Sequence, residues 1–203
     1  MRIKNLLAAL ALMAFVSAPV QAQDDDEIRH EIAISYGVEP NTFWIDMFTD
    51  VIKAEFGEKL DGEKYVGPIG LEYYYHTSPL VGVGAVAVLA TNHQNGFMKD
   101  VQSSHTTRTY FTVMPSVKLN WLRKHNWGLY SKLAAGGTYI RFSQDDYDDN
   151  GKKTGEKRTV NDLMFNFQAS LIGIEAGGDH VRGFIELGVG EQGVALAGVR
   201  CRF

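Results

Sequence analysis

Apolar and polar residues alternate along most of this chain, most clearly at its end. In Gly193 to Phe203, GVALAGVRCRF, Ala195, Ala197, Val199, Cys201 and Phe203 share one parity, and Val194, Leu196, Gly198, Arg200 and Arg202 share the other. Side chains on a strand point alternately to its two faces, so near the end one face is apolar and the other carries two guanidinium groups. The same period recurs upstream. Ile28, Ile32, Ile34 and Tyr36 oppose Arg29, Glu31 and Ser35, and Ile69, Leu71, Tyr73 and Tyr75 oppose Glu72 and Tyr74. Val81, Val83 and Ala85 oppose Gly82 and Gly84, and Phe111, Val113, Val117 and Leu119 oppose Tyr110, Thr112, Ser116 and Lys118. Leu129, Leu133 and Tyr139 oppose Tyr130, Lys132 and Thr138. Leu163, Phe165, Phe167 and Leu171 oppose Asn166, Gln168 and Ser170. Ile172 and Ile174 then break parity, which predicts a bulge. Ile185, Leu187 and Val189 oppose Glu186 and Gly188. The pattern predicts eight strands, near 28–37, 68–76, 80–90, 107–120, 127–142, 160–176, 181–190 and 193–203.

One stretch follows a helical period instead. In residues 41–56, Phe43, Trp44, Met47, Phe48, Val51 and Ile52 recur at helical spacing, with Asp46, Asp50, Lys53 and Glu55 opposite. Asn41 or Thr42 caps its start and Gly57 its end. This predicts an amphipathic helix between strands one and two, packed on a rim, lying at a membrane surface, or acting as a lid or plug. Residues 59–67 read as turn-rich, 92–106 as a polar loop, and 143–159 as a charged loop. Pro115 weakens one rung of the fourth strand.

Connections after strands two, four and six are short, and those after one, three and five are long. Tyr75, Trp121, Trp127 and Phe203 fall at the short-turn end, and Tyr36, Phe111, Tyr139 and Phe142 toward the other, as two aromatic belts would. With its alternation, its loop asymmetry and its terminal Phe203, the chain resembles small eight-stranded bacterial outer-membrane β-barrels of the OmpA-barrel and OmpX-like type. The resemblance covers nearly all of the chain after its leader. It implies an all-β fold: an eight-stranded antiparallel transmembrane barrel, with one amphipathic helix inserted between strands 1 and 2. It also implies that Phe203 is the assembly signal read by the barrel-assembly machinery, and that the other partner is outer-membrane lipid. The rival is a lipocalin-like soluble barrel, whose apolar faces line an internal cavity.

In the membrane form, parity sends Arg29, Glu31, Glu72, Lys118, Lys132, Glu186, Arg200 and Arg202 inward. Glu72, Lys118, Lys132, Glu186, Arg200 and Arg202 form the expected charge cluster of the lumen. Tyr74, Tyr130 and Phe184 add bulk on the same face, while Gly82, Gly84, Gly188 and Gly198 leave room for it. Eight strands enclose a space that side chains can just fill, so the expectation is a filled lumen with no continuous pore.

Targeting signals agree with this setting. Residues 1–22 read as a signal peptide: Arg2 and Lys4 are followed by an apolar run from Leu6 to Val16 and a Val20-Gln21-Ala22 cleavage site. Residues 23–27 form an acidic leader, and 28–203 the barrel. Removing Arg2 and Lys4 leaves 18 basic and 24 acidic residues, a net charge of −6, which opposes nonspecific nucleic-acid binding. Cys201 is the only cysteine, so no internal disulfide forms, and no Cys/His cluster marks a metal or other cofactor.

The chemistry-bearing residues are few. His93 and His105, with Ser103 and Ser104, share a loop and raise the alternative of a lipid A-modifying enzyme. Asp146, Asp148, Asn150 and Gly151 imitate the first half of a calcium loop, but the closing position is Lys157, with Glu156 one residue early. The expectation is no tight calcium site at 145–151. The leading reading is a non-enzymatic barrel with a structural or surface-interaction role. A narrow channel or small-ligand binder is the other alternative, and the sequence names no external partner.

Overall fold

The computed structural model describes residues 28–41, 59–98, 101–147 and 153–203. Its strands are β1 (His30–Val38), β2 (Lys59–His76), β3 (Val81–Met98), β4 (Val101–Arg123), β5 (Trp127–Tyr147), β6 (Lys153–Gly177), β7 (Val181–Gly190) and β8 (Ala195–Arg202). They form one closed antiparallel barrel in chain order. The seam joins β8 to β1, from Glu31↔Arg202 to Val38↔Ala195. Closure leaves no sheet edge along that seam.

The predicted strand cores are all present, but β2 to β6 run beyond them at the hairpin end. Residues 59–67, read as turn-rich, belong to β2, and the polar stretch 92–106 is nearly all strand. The charged stretch 143–159 likewise holds the ends of β5 and β6. The physical reason is that alternation reports a strand only where its two faces meet different media. In these extensions the sequence carries polar residues at both parities, while the cross-strand ladder still satisfies the backbone. The predicted helix at 41–56 falls, from residue 42 onward, outside the described residues. So do the signal peptide and the acidic leader.

The bulge in β6 is present as a register shift between Ser170 and Ile172 against β7. It leaves both Leu171 and Ile172 on the outside and turns Glu175 inward. Pro115 keeps its place opposite Ala85 on β3. On the other side the β4–β5 register stops at Val113↔Gly137 and resumes at Ser116↔Ala134.

Short turns at 77–80, 124–126 and 178–180 close one end. At the other end β7, β8 and β1 stop early, so the longer β2–β6 strands stand above them. The β7–β8 turn folds into the barrel mouth, with Gly190 at φ 140° and Gly193 at φ 106°. Those left-handed values favour glycine. The turn buries the side chains of Glu191 and Gln192.

Candidate functional site

The outward faces decide between the two barrel types. Leu163 is 73% exposed, Phe165 72%, Leu171 68% and Leu133 60%, and the inward faces carry charges, amides and hydroxyls. A lipocalin-like barrel would show the reverse, so that rival is excluded. An apolar outer band of this extent is stable only against lipid. Trp121, Trp127 and Phe203 stand exposed toward the short-turn end, where Tyr75 is only half-exposed and Tyr73, not expected in the belt, is exposed beside it; Tyr36, Phe111 and Tyr139 stand exposed toward the other. Phe142, expected in the outer belt, instead pairs with Arg108 on the inward face, with the guanidinium 5.8 Å from its ring centre. On the lipid face, a groove of about 640 Å³ is lined by Val83, Pro115, Val117, Leu133, Ala135 and Phe167.

Inside, two linked ion-pair networks fill the lumen. Toward the short-turn end, Glu31 takes Lys118 at 2.8 Å, His76 at 3.3 Å and Arg200 at 3.5 Å. Glu175 takes Arg200 at 2.5 Å, Arg182 at 2.9 Å, Lys118 at 3.4 Å and Arg202 at 3.5 Å. One level further in, Lys132 sits between Glu72 and Glu186, 2.7 Å from each. Glu186 also accepts from the Tyr130 hydroxyl at 2.7 Å and from Ser170 at 2.5 Å. Arg200 joins the two levels: its Nη2 donates to the Tyr130 oxygen at 2.7 Å and lies 3.7 Å from Glu186.

The turn that folds inward forms a third layer. Gln192 donates its amide to Glu72 at 2.7 Å, and its backbone N–H bonds to Gln168 at 2.8 Å. Glu191 accepts from Asn166 at 2.8 Å and Thr112 at 3.2 Å. Asn41, just past β1, reaches across to the Asn166 side chain.

Apolar bulk occupies the remaining space. Tyr74, Val86, Val88, Met114 and Ala134 form one buried cluster, and Ala33, Tyr130, Phe184 and Leu196 another. The Arg200 guanidinium lies 4.1 Å from the Phe184 ring centre and 4.5 Å from that of Tyr130. Two glycines make this packing possible. A methyl at Gly198 would come within 2.6 Å of the Phe184 ring, and one at Gly173 would overlap the Tyr130 ring. Gly82 similarly yields space to the His76 ring, whereas Gly84 and Gly188 lie against backbone of the adjoining strand, as Gly198 also does at the Ile34 carbonyl.

All six charges expected in the lumen lie there: Glu72, Lys118, Lys132, Glu186, Arg200 and Arg202. Arg29, assigned inward by parity, precedes β1 and is exposed at the rim. Sequence reasoning missed Glu175, whose parity the bulge inverts. It also missed Glu191 and Gln192, which looked like solvated turn residues. Arg182 was within reach, since it shares its parity with Glu186.

Phe203 closes the seam. Its backbone exchanges hydrogen bonds of 2.8 and 2.9 Å with His30, and the two rings stack at 5.6 Å and 15°. His30 is held in turn by the Tyr73 hydroxyl at 2.9 Å. His93 and His105 face outward on β3 and β4, and the side chains of Ser103 and Ser104 lie outside the described residues. So does most of the aspartate-rich stretch 145–151.

Neither a family model nor any curated protein matches the chain. Among solved structures, Ail, the attachment invasion locus protein of Yersinia pestis, aligns at 12% identity and a TM-score of 0.44, covering 86% of this chain and 97% of its own. The outer membrane protein OprG from Pseudomonas aeruginosa aligns at 12% identity and a TM-score of 0.44, covering 87% and 97%. The chain's own geometry, with an apolar band outside, paired charges inside and a closed eight-strand ladder, makes it a small transmembrane-type β-barrel.

Proposed function

We propose that this protein is a closed, non-conducting barrel with a structural or surface-interaction role. In this reading it anchors the long β3–β4 and β5–β6 hairpins at the cell surface and is not an enzyme. Residues 1–22 direct export and are removed, 23–27 form a short leader, and 28–203 assemble through the barrel-assembly machinery with Phe203 as the signal. The observation that carries the reading is Arg200. It is fully buried at mid-lumen, tied to Glu31, Glu175 and Tyr130 and stacked on Phe184. An ion path would have to break those contacts, and stripping a buried ion of its partner is costly.

Planar-bilayer recording on the refolded protein tests this. The expected trace is a silent membrane. Stable single-channel conductance that changed in Arg200→Ala or Glu186→Ala would overturn the plugged-lumen reading and place the protein among channels.

A further inference from the structure

His93 and His105 come together on the outer face of the β3–β4 hairpin. Register pairs His93 with Thr107 and Asn95 with His105, so the two histidines are diagonal neighbours across the strands. Diagonal positions on one face are within reach of ring side chains. The rings stack, with centroids 6.1 Å apart and planes 14° apart. Both side chains are partly buried. They stand beyond Leu89 and Phe111, where the outward faces of β3 and β4 turn polar.

Each ring is held through the same nitrogen. His105 Nδ1 lies 2.7 Å from the Asn95 side-chain oxygen, and His93 Nδ1 lies 3.1 Å from the Thr107 hydroxyl. An amide oxygen only accepts, so His105 Nδ1 carries the proton and its Nε2 keeps a lone pair. The Thr107 hydroxyl can accept from His93 in the same sense. Metal-ligating histidines are usually arranged this way, with the other ring N–H given to an oxygen that fixes tautomer and orientation.

The geometry points to a surface site for a divalent transition-metal ion, bound by Nε2 of His93 and Nε2 of His105. The histidine χ2 torsion is soft, so in this proposal each ring turns to present its Nε2 to a shared ion at about 2.0–2.1 Å. Among the described residues no group of three or more His, Cys, Asp or Glu forms a metal cage, so water completes the coordination. Asp145 stands directly opposite His105 on β5 and adds negative charge nearby. Imidazole pairs suit copper, nickel and zinc, and the affinity order for such ligands puts Cu²⁺ first.

The test is electron paramagnetic resonance of the full chain, refolded in detergent and titrated with Cu²⁺. The expected result is one ion per chain with hyperfine splitting from two nitrogens. His93→Phe and His105→Phe keep a stacked ring without a donor, and each should lose the two-nitrogen signal while keeping a heat-modifiable band. His125→Ala, at an exposed turn, should leave the signal intact. Asn95→Ala should keep both nitrogens but weaken binding about 10–100-fold, as loss of such a supporting hydrogen bond does. A one-nitrogen spectrum, or a two-nitrogen signal that survives in either Phe variant, would overturn the site.

Discussion

Lys132 is the best place to measure what the lumen charges do. Its ammonium and both of its partners, Glu72 and Glu186, have no solvent-exposed side-chain area. Replacing it with Met keeps the volume and removes the charge. Glu186 would retain Tyr130, Ser170 and the more distant Arg200. Glu72 would retain only the Gln192 amide. Breaking a buried pair from one side leaves an uncompensated ion, and the expected loss is about 3–5 kcal/mol. Glu72→Gln alone is milder, because Lys132 keeps Glu186; the expected loss is about 1–3 kcal/mol. The double variant Lys132→Met/Glu72→Gln leaves no orphaned carboxylate at position 72. It should be less destabilised than the sum of the two single variants, by about 1.5–3 kcal/mol.

The assay is reversible urea unfolding in lipid vesicles, read by tryptophan fluorescence and by the heat-modifiable band on gels. All four members of the cycle are measured at one ionic strength. Independent sites add within about 0.3–0.5 kcal/mol. Additivity within that range would mean that Glu72 and Lys132 do not depend on each other. The reasoning from a dry, paired lumen would then fail.

Several other outcomes are expected. Deleting Phe203 removes the stack on His30 and the last backbone pair of the seam, so outer membranes should contain much less of the folded, heat-modifiable form; normal levels would count against that role. Gly173→Ala places a methyl inside the Tyr130 ring and should lower stability by about 1–3 kcal/mol in the same urea assay, whereas a neutral result would show that Tyr130 is free to move. Leu133→Arg sets a charge on the lipid face and should cost up to about 2–4 kcal/mol, depending on its depth. Mass spectrometry of the exported protein should find Gln23 at the N-terminus.

Much of this architecture was legible in the sequence because the membrane imposes the pattern. Each strand core meets lipid on one side and packed polar groups on the other, so Leu163-Met164-Phe165-Asn166-Phe167-Gln168 declares both its faces. Legibility ends where that contrast ends. The stretch 92–106 carries polar residues at both parities in sequence and looked like loop, although its ladder continues. Glu175 was hidden by a different effect: a single extra residue at the bulge reverses parity for the rest of β6. Glu191 and Gln192 were hidden by the chain's direction. Nothing local in Gly190-Glu191-Gln192-Gly193 shows that the turn folds into the mouth.

The charged lumen is better understood as a device for register than as a source of stability. Replacing a buried ion pair with apolar groups of like volume is often neutral or stabilising, so the pairs alone are weak evidence of strength. An apolar lumen, however, would leave each strand apolar on both faces. A one-residue slip would then cost little, and β1 and β8 could close the seam in more than one way. With the present residues, a slip of β8 would carry Arg200 and Arg202 into the lipid and leave Glu31 and Glu175 short of their partners. Exposure of Arg or Lys to the bilayer midplane costs about 2–4 kcal/mol each. Lys118 and Lys132 impose the same penalty on β4 and β5. Wrong registers are thereby disfavoured strand by strand, even if the correct one gains little from its ion pairs.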